Sequence, residues 1–362
     1  MAPVAIAEAT ATNPVDALKS SLANVTVSET EAPVDLTAFA HFDSTPSVGT
    51  EFRSSTNDGK PLLDIRDVLA SPAKLAALGR LVSERGVVFF RDAKITPEEQ
   101  MTLVDALGRA GGKPESSTLH IHPCTVEDQG EKDEISIISN KFVFGKKFER
   151  KDFGILDRRV GADQWHSDIT FENIPSDYAS LVIRDLPAVG GDTLWASAYE
   201  AYDRLSPAYQ QFLEGLTALH KGVGFIKLAD AIGAKMRENR GSPENVGQDL
   251  EAIHPVIRTN PVTGWKGLFV NRGFTQRIIE LTQPESDALL KFLYAHISAN
   301  HDLQVRFRWE KDSLAIWDNR STFHAATQDI DGSNREGTRS VSLGERPYFD
   351  PKSVSRRTAL GL

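Results

Sequence analysis

His166 and Asp168 stand two residues apart, and a second histidine, His324, lies far downstream. Two imidazoles and one carboxylate can occupy one face of an octahedral divalent metal, leaving positions open for substrate, cosubstrate and oxygen; this arrangement suits a redox-active Fe(II). In an extended strand residues i and i+2 point to the same side, so His166 and Asp168 can grip one ion together. The fold must bring His324 back to them. The H-x-D pair alone is weak, because a hydrogen-bonded pair at a strand end has the same spacing. Two arginines downstream of His324 add weight. Arg335 and Arg339 lie within fifteen residues of it. If the chain is extended from 335 onward, residues 335, 339, 341 and 343 share one face, and two guanidiniums enter the same interior as the metal. The planar arginine fork pairs with carboxylates or sulfonates. A cationic clamp beside a redox metal suggests a dicarboxylate cosubstrate and an anionic substrate. Two surface arginines in a charged terminal strand are the plainer alternative.

Other reactive side chains point to less. His120 and His122 alternate around Ile121 and would face one side of a strand. Cys124 is the only cysteine, so no intrachain disulfide can form, which fits a reducing, cytoplasmic compartment. A Cys124–His122 nucleophile lacks a third, orienting partner. His220 and His254 read as packed, hydrogen-bonded residues, and Trp165 and Trp317 as wall or core. Asp318 and Asn319 could support the distal ligand or simply turn the chain. Lys146-Lys147 could steer an anion inward or form a solvated surface run. No glycine-rich phosphate loop opens a helix, and no nucleophile elbow is present.

The elements that must position these residues are mostly strands. Ser71-Pro72 starts a helix that ends at Gly86, with strand Val87–Phe90 behind it. Thr96-Pro-Glu-Glu99 is a capping box for a second helix. Tyr178–Arg184 reads as a strand, and Pro187–Gly191 as a turn feeding Asp192–Trp195. Two short helices span Ser197–Leu205 and Ser206–Gly215. Val256–Val270 reads as a hairpin turning near Pro261–Gly264. Gln283–Ala299 is an amphipathic helix, and Leu303–Trp309 and Ser313–Asp318 are strands. This mainly β pattern with helical additions (α+β) suits a double-sheet jelly roll.

Around the metal motif the chain resembles the taurine dioxygenase family of Fe(II)/2-oxoglutarate-dependent oxygenases. The resemblance runs from about His41 to Asp350. Its strongest stretches are Trp165-His-Ser-Asp-Ile-Thr-Phe171, Leu186-Pro-Ala-Val-Gly-Gly-Asp-Thr-Leu-Trp195, Ile316-Trp-Asp-Asn-Arg-Ser-Thr-Phe-His324 and Thr338-Arg-Ser-Val-Ser-Leu-Gly-Glu-Arg-Pro347. It implies a double-stranded β-helix (jelly-roll, cupin-like) core. It implies His166, Asp168 and His324 as iron ligands, and Thr193 and Arg335 as holders of the distal carboxylate of 2-oxoglutarate. Arg339 and His122 match residues near the substrate anion, and Ile169 and Phe171 match pocket-lining residues. Val341 and Leu343 share the predicted face of Arg339 and could shape an aliphatic pocket. The chain is longer than the bacterial taurine enzyme between Pro123 and Trp165, and Ala162 stands near the place of the asparagine that meets the taurine amine. The anion-binding half is therefore kept and the other half rewritten.

The resemblance implies Fe(II), 2-oxoglutarate and O2 as cofactor and cosubstrates, with oxidation of a C–H bond of a small anionic substrate. Hydroxylation of a taurine-like sulfonate is the family default. Oxidative tailoring of an aliphatic amino acid (hydroxylation, desaturation or ring closure) in secondary metabolism is the alternative. A non-catalytic metal- and anion-binding jelly roll and a zinc-dependent hydrolase stay open from the residues alone. The net charge of −9 argues against nucleic acid or an acidic membrane surface as a general partner, and no apolar run approaches a membrane span. Residues 1–35 show no stable period and no leader pattern, so they read as a tail. Residues 36–350 read as one domain with a lid or insertions at 124–160 and 223–247, and 351–362 as a C-terminal tail. A homo-oligomer stays open.

Overall fold

The computed structural model describes residues 34–55, 59–125, 132–140, 142–143, 146–147, 160–232, 235–330 and 333–362. Residues 1–33 of the expected N-terminal tail lie outside that set. So does most of the expected insertion at 124–160, including the side chains of Lys146 and Lys147.

Short strands β1 (His41–Asp43) and β2 (Thr50–Phe52) come first. Helices α1 (Ile65–Leu69) and α2 (Pro72–Arg85) come next, and α2 starts as the sequence predicts, with the Ser71 side chain accepting from Lys74 N and proline in the first turn. Strand β3 (Val87–Phe90) leads to α3 (Pro97–Ala110), where Thr96 and Glu99 close the expected capping box. Then come β4 (Ile135–Ser139), the two-residue strands β5 (Phe142–Val143) and β6 (Lys146–Lys147), β7 (Ser176–Asp185) and β8 (Thr193–Ser197). Helices α4 (Ala198–Asp203) and α5 (Pro207–Leu213) precede β9 (Thr217–Lys221), α6 (Val223–Ile232) and β10 (Glu251–Pro255). The predicted hairpin is β11 (Ile257–Thr259) with β12 (Lys266–Leu268), and β13 (Thr275–Ile278) and α7 (Gln283–Ser298) come after it. Strands β14 (Gln304–Phe307), β15 (Leu314–Asp318), β16 (Thr322–Ala326) and β17 (Glu336–Leu343) carry the chain to a last helix, α8 (Arg356–Leu360).

A seven-stranded sheet runs β1-β2-β3-β15-β7-β17-β4, and a three-stranded sheet runs β14-β8-β16. Between them lies one apolar layer that includes Phe89, Leu181, Trp195, Phe307, Trp317, Val341 and Leu343. Val88, Phe90, Leu314 and Ile316 point the other way, into a second layer under α2 and α3. The alternation of Phe89 against Val88 and Phe90 is the period-two signature of a strand buried on both faces. The small sheet turns Ala196, Phe323 and Ala325 outward into a third layer shared with α4 and α7. His324 therefore shares the inner side of β16, facing the large sheet.

One region departs from the sequence reading. Residues 351–362 read as a tail in the sequence. Instead α8 is docked: Lys266 N donates to Val354 O at 2.9 Å, and Arg356 is buried against Pro46 O at 3.1 Å. Its contacts come from distant segments, so no local period announces them. Residues 223–247 read as a lid or insertion; their first ten residues form α6, which packs Phe225, Ile226 and Ala229 onto the inner layer.

Candidate active site

His166 and His324 face each other across an isolated antiparallel bridge, with His166 N to His324 O at 3.0 Å and His324 N to His166 O at 2.7 Å. This backbone exchange sets the imidazoles side by side, with ring centres 4.3 Å apart. The extended-strand premise ends at His166. The chain turns at Asp168, and Ile169 adopts a left-handed φ of 49°, while Asp168 N is held by Asn319 Oδ1 at 3.0 Å. The turn still delivers the carboxylate to the histidines. Asp168 Oδ1 lies 4.0 Å from His166 Nε2 and 3.8 Å from His324 Nε2, and the three donor atoms all fall within 4.8 Å of one another.

The electrostatics fit a divalent cation. His166 Nδ1 lies 2.7 Å from Gln164 O. A carbonyl only accepts, so Nδ1 carries a proton and Nε2 is the nitrogen turned toward the cluster. Burial, reinforced by the neighbouring His166, lowers His324 to about 3 and keeps it neutral, despite Asp168. Burial would raise the Asp168 carboxyl, but Arg339, His324 and His166 outweigh it and hold it at about 2. Asp168 Oδ2 is buried with no hydrogen-bond partner among the described residues. A buried anionic oxygen left unpaired is costly unless a cation meets it. Two imidazoles and one ionised carboxylate are the donor set for Fe(II) with an open face.

Beside this cluster lies a buried charge with no carboxylate partner among the described residues. Thr193 pairs with Ala326 in the β8–β16 ladder, while Trp195 pairs with His324. Thr193 therefore shares His324's face, about 7 Å along the strand. Its Oγ1 accepts from Trp309 Nε1 at 3.0 Å and from Arg335 Nη2 at 3.3 Å, leaving the hydroxyl hydrogen to donate. Arg335 is 6% exposed, and its Nε donates to Gly191 O at 2.7 Å. Among the described residues no carboxylate forms an ion pair with it. Burial pulls its pKa down to about 10, only partly opposed by Asp192. Gly191 (φ 70°) admits the arginine stem, because a Cβ there would stand 2.9 Å from Arg335 Cδ.

The remaining predicted residues line the other side. Arg339 Nη1 donates to Asp168 Oδ1 at 2.6 Å, so the second guanidinium rests on the carboxylate in the metal cluster. His122 is buried, and burial, with His120 and Arg339 adding to it, lowers its pKa well below the usual imidazole value. Ile169, Phe171, Val341 and Leu343 belong to one apolar cluster. Sequence reasoning missed Phe225 and Phe274. Phe171 meets both rings, at 5.5 and 5.1 Å, His122 meets Phe225 at 4.6 Å, and His166 meets Phe274 at 5.9 Å. It also missed Gln164 and Trp309, whose roles depend on contacts across the fold and leave no short motif. His220 and His254 are buried and hydrogen-bonded, as expected. Trp317 stacks obliquely on His324 at 5.1 Å.

This fold and donor set define a jelly-roll, non-haem iron oxygenase. The chain belongs to the taurine catabolism dioxygenase TauD, TfdA family, whose model matches residues 43–341. It is 43% identical to the alpha-ketoglutarate-dependent dioxygenase btcD of Neocamarosporium betae, over 90% of this chain and 96% of that protein. It is 34% identical to the alpha-ketoglutarate-dependent sulfonate dioxygenase of Saccharomyces cerevisiae, over 86% of this chain and 68% of that protein. Among solved structures it resembles a taurine dioxygenase from Burkholderia xenovorans with a TM-score of 0.63 and 25% identity, covering 87% of this chain and 94% of that one. The protein is a 2-oxoglutarate-dependent dioxygenase that uses Fe(II), 2-oxoglutarate and O2. Family membership sets aside the hydrolase and the non-catalytic binder. No helix among the described residues is long and apolar enough to cross a membrane.

Proposed function

We propose that the enzyme oxidises a C–H bond of a small anionic substrate, with a sulfonate of the taurine type as the first choice. In this reading His166, Asp168 and His324 hold the iron, while Arg335 and Thr193 hold the distal carboxylate of 2-oxoglutarate. Arg339 and His122 orient the substrate anion, and Ile169, Phe171, Val341 and Leu343 enclose its body. The bound metal supplies oxygen activation coupled to decarboxylation of 2-oxoglutarate to succinate. The protein's part is placement. The arginine fork and the threonine hydroxyl fix the cosubstrate at two points, and the anion clamp leaves a C–H bond beside the metal, where orientation contributes much of the rate.

One observation carries the cosubstrate assignment: a buried guanidinium with no carboxylate partner among the described residues, next to a hydroxyl with a hydrogen to give, on the face that bears His324. The anion class is supported by Arg339 and by the sulfonate dioxygenase among the relatives. The aromatic wall of Phe171, Phe225 and Phe274 favours a second reading, oxidation of an aliphatic amino acid. A succinate-release screen with Fe(II) and 2-oxoglutarate, run over sulfonates, sulfate esters and aliphatic amino acids, separates them. Stimulation by sulfonates or sulfate esters is expected. Stimulation by amino acids alone would move the assignment to the second reading. The buried, lone cysteine fits a reducing cytoplasmic location, which cell fractionation would check.

A further inference from the structure

Glu172 and Arg240 form a fully buried ion pair, 2% and 1% exposed at the side chain. The contact is bidentate, with Nε to Oε1 at 2.5 Å and Nη2 to Oε2 at 3.0 Å. Glu172 is four residues past Asp168, at the far end of the turn closed by Glu172 N to Ile169 O at 2.9 Å. Arg339 meets the near end of the turn at Asp168 Oδ1, and the other hydrogen bonds described along it are uncharged. Asn319 takes Asp168 N, His220 and Asn271 meet Thr170 Oγ1, and His254 Nε2 reaches Thr170 O and Glu172 O.

Arg240 also organises its own segment. Its Nη1 donates to Arg237 O and Gly247 O, each at 2.9 Å. That segment grips the chain that carries His120 and His122. Thr118 N and Oγ1 both donate to Gly241 O, at 2.9 and 2.7 Å, and Arg237 N donates to Pro123 O at 2.8 Å. Gly241 (φ 91°) lies so close that a Cβ would stand 2.1 Å from Leu119 O. His120 Nε2 is buried, without a hydrogen-bond partner, and stands 3.9 Å from Glu172 Oε1. One guanidinium therefore ties the turn that begins at Asp168 to the strand-like segment that presents His122.

We propose that Arg240 and Glu172 are positioning residues: their planar, two-point contact sets the turn that presents Asp168 and registers it against the His122 side of the pocket. A well-packed apolar pair often stabilises a protein as well as a buried ion pair does, so stability alone does not account for this one. What the bidentate fork adds is geometry, since two parallel hydrogen bonds fix direction as well as distance. This inference rests on the metal assignment made under the proposed function.

The test is anaerobic titration of Fe(II) into protein with saturating 2-oxoglutarate, monitored by the charge-transfer absorption of the iron–2-oxo acid chelate, with thermal unfolding measured in parallel. Arg240→Lys keeps the charge and loses the fork. It should unfold cooperatively yet bind Fe(II) about tenfold more weakly, as for other residues that support metal ligands indirectly. Wild-type affinity in folded Arg240→Lys overturns the proposal. If that variant does not fold, the uncharged pair Glu172→Gln/Arg240→Gln is read the same way. Failure of both to fold would make the pair a folding element and also overturn it. Absence of the absorption band in the unaltered protein would instead overturn the metal assignment.

Discussion

Two regions of the molecule each bury an arginine, and they do it in opposite ways. Arg240 meets Glu172 through both arms of its fork, and its remaining bonds go to backbone carbonyls. Arg335 is nearly as buried, yet it meets only a carbonyl and a hydroxyl, and burial pulls its pKa down to about 10. A buried charge that the chain itself satisfies is architecture. A buried charge that it leaves unsatisfied marks where a ligand of opposite sign belongs. The same division separates Asp318, bonded to Arg320, Ser83 and Asn260, from Asp168, whose Oδ2 has no hydrogen-bond partner.

The contrast breaks first at Asp168. Asp168→Ala should abolish iron-dependent succinate formation while the protein stays folded, and wild-type rates in that variant would remove Asp168 from the ligand set. Next, the two arginine regions should respond oppositely. Removing the carboxylate in Glu172→Ala leaves Arg240 buried and unpaired, which should destabilise the protein by about 3–5 kcal/mol in denaturant unfolding. Arg335→Gln should leave the stability of the cosubstrate-free protein unchanged or raise it, while the KM for 2-oxoglutarate rises about 10–100-fold, as loss of charged hydrogen bonds implies. An unchanged KM would end the role given to Arg335. Thr193→Val removes one neutral hydrogen bond and should raise the same KM by only about 2–10-fold.

A more gradual effect concerns acid. Burial, with Arg258 adding to it, lowers His254 from 6.5 to about 3, and burial also lowers His220 well below the usual value. Between these limits the unfolded chain binds protons that the folded chain excludes. Stability is therefore complete above about pH 6.5 and is lost as pH falls toward 3, with a slope of up to about 1.4 kcal/mol per pH unit for each such group. Denaturant unfolding at a series of pH values checks this. A flat profile between pH 6.5 and 5 would mean that these histidines charge freely in the fold.

Much of the scaffold was legible because its signals are local. The Ser71-Pro72 start, the Thr96–Glu99 box and the Val256–Val270 hairpin each depend on neighbours along the chain. The docked α8 was not legible, since Val354 and Arg356 are held by Gly264, Trp265 and Pro46. Within the site, the resemblance pointed to His166, Asp168 and His324, whose donor atoms lie within 4.8 Å of one another, and to Thr193 and Arg335, which share a hydrogen bond, but not to Gln164 or Trp309 beside them. It did not point to Phe225 or Phe274, which reach the pocket from a helix and a turn with no pattern of their own.

By itself the sequence determined which groups could do chemistry here: two imidazoles, one carboxylate and two guanidiniums, in motifs short enough to read. Tertiary structure alone decided that, among the described residues, Arg335 would find no acid and Arg240 would find one. It also decided that Asp168 would arrive by a left-handed turn rather than along a strand. The physical reason is that the identity of a donor is a covalent property of one residue. Whether its charge is satisfied depends on what packing brings within about 3 Å of it, and those partners lie scores of residues away.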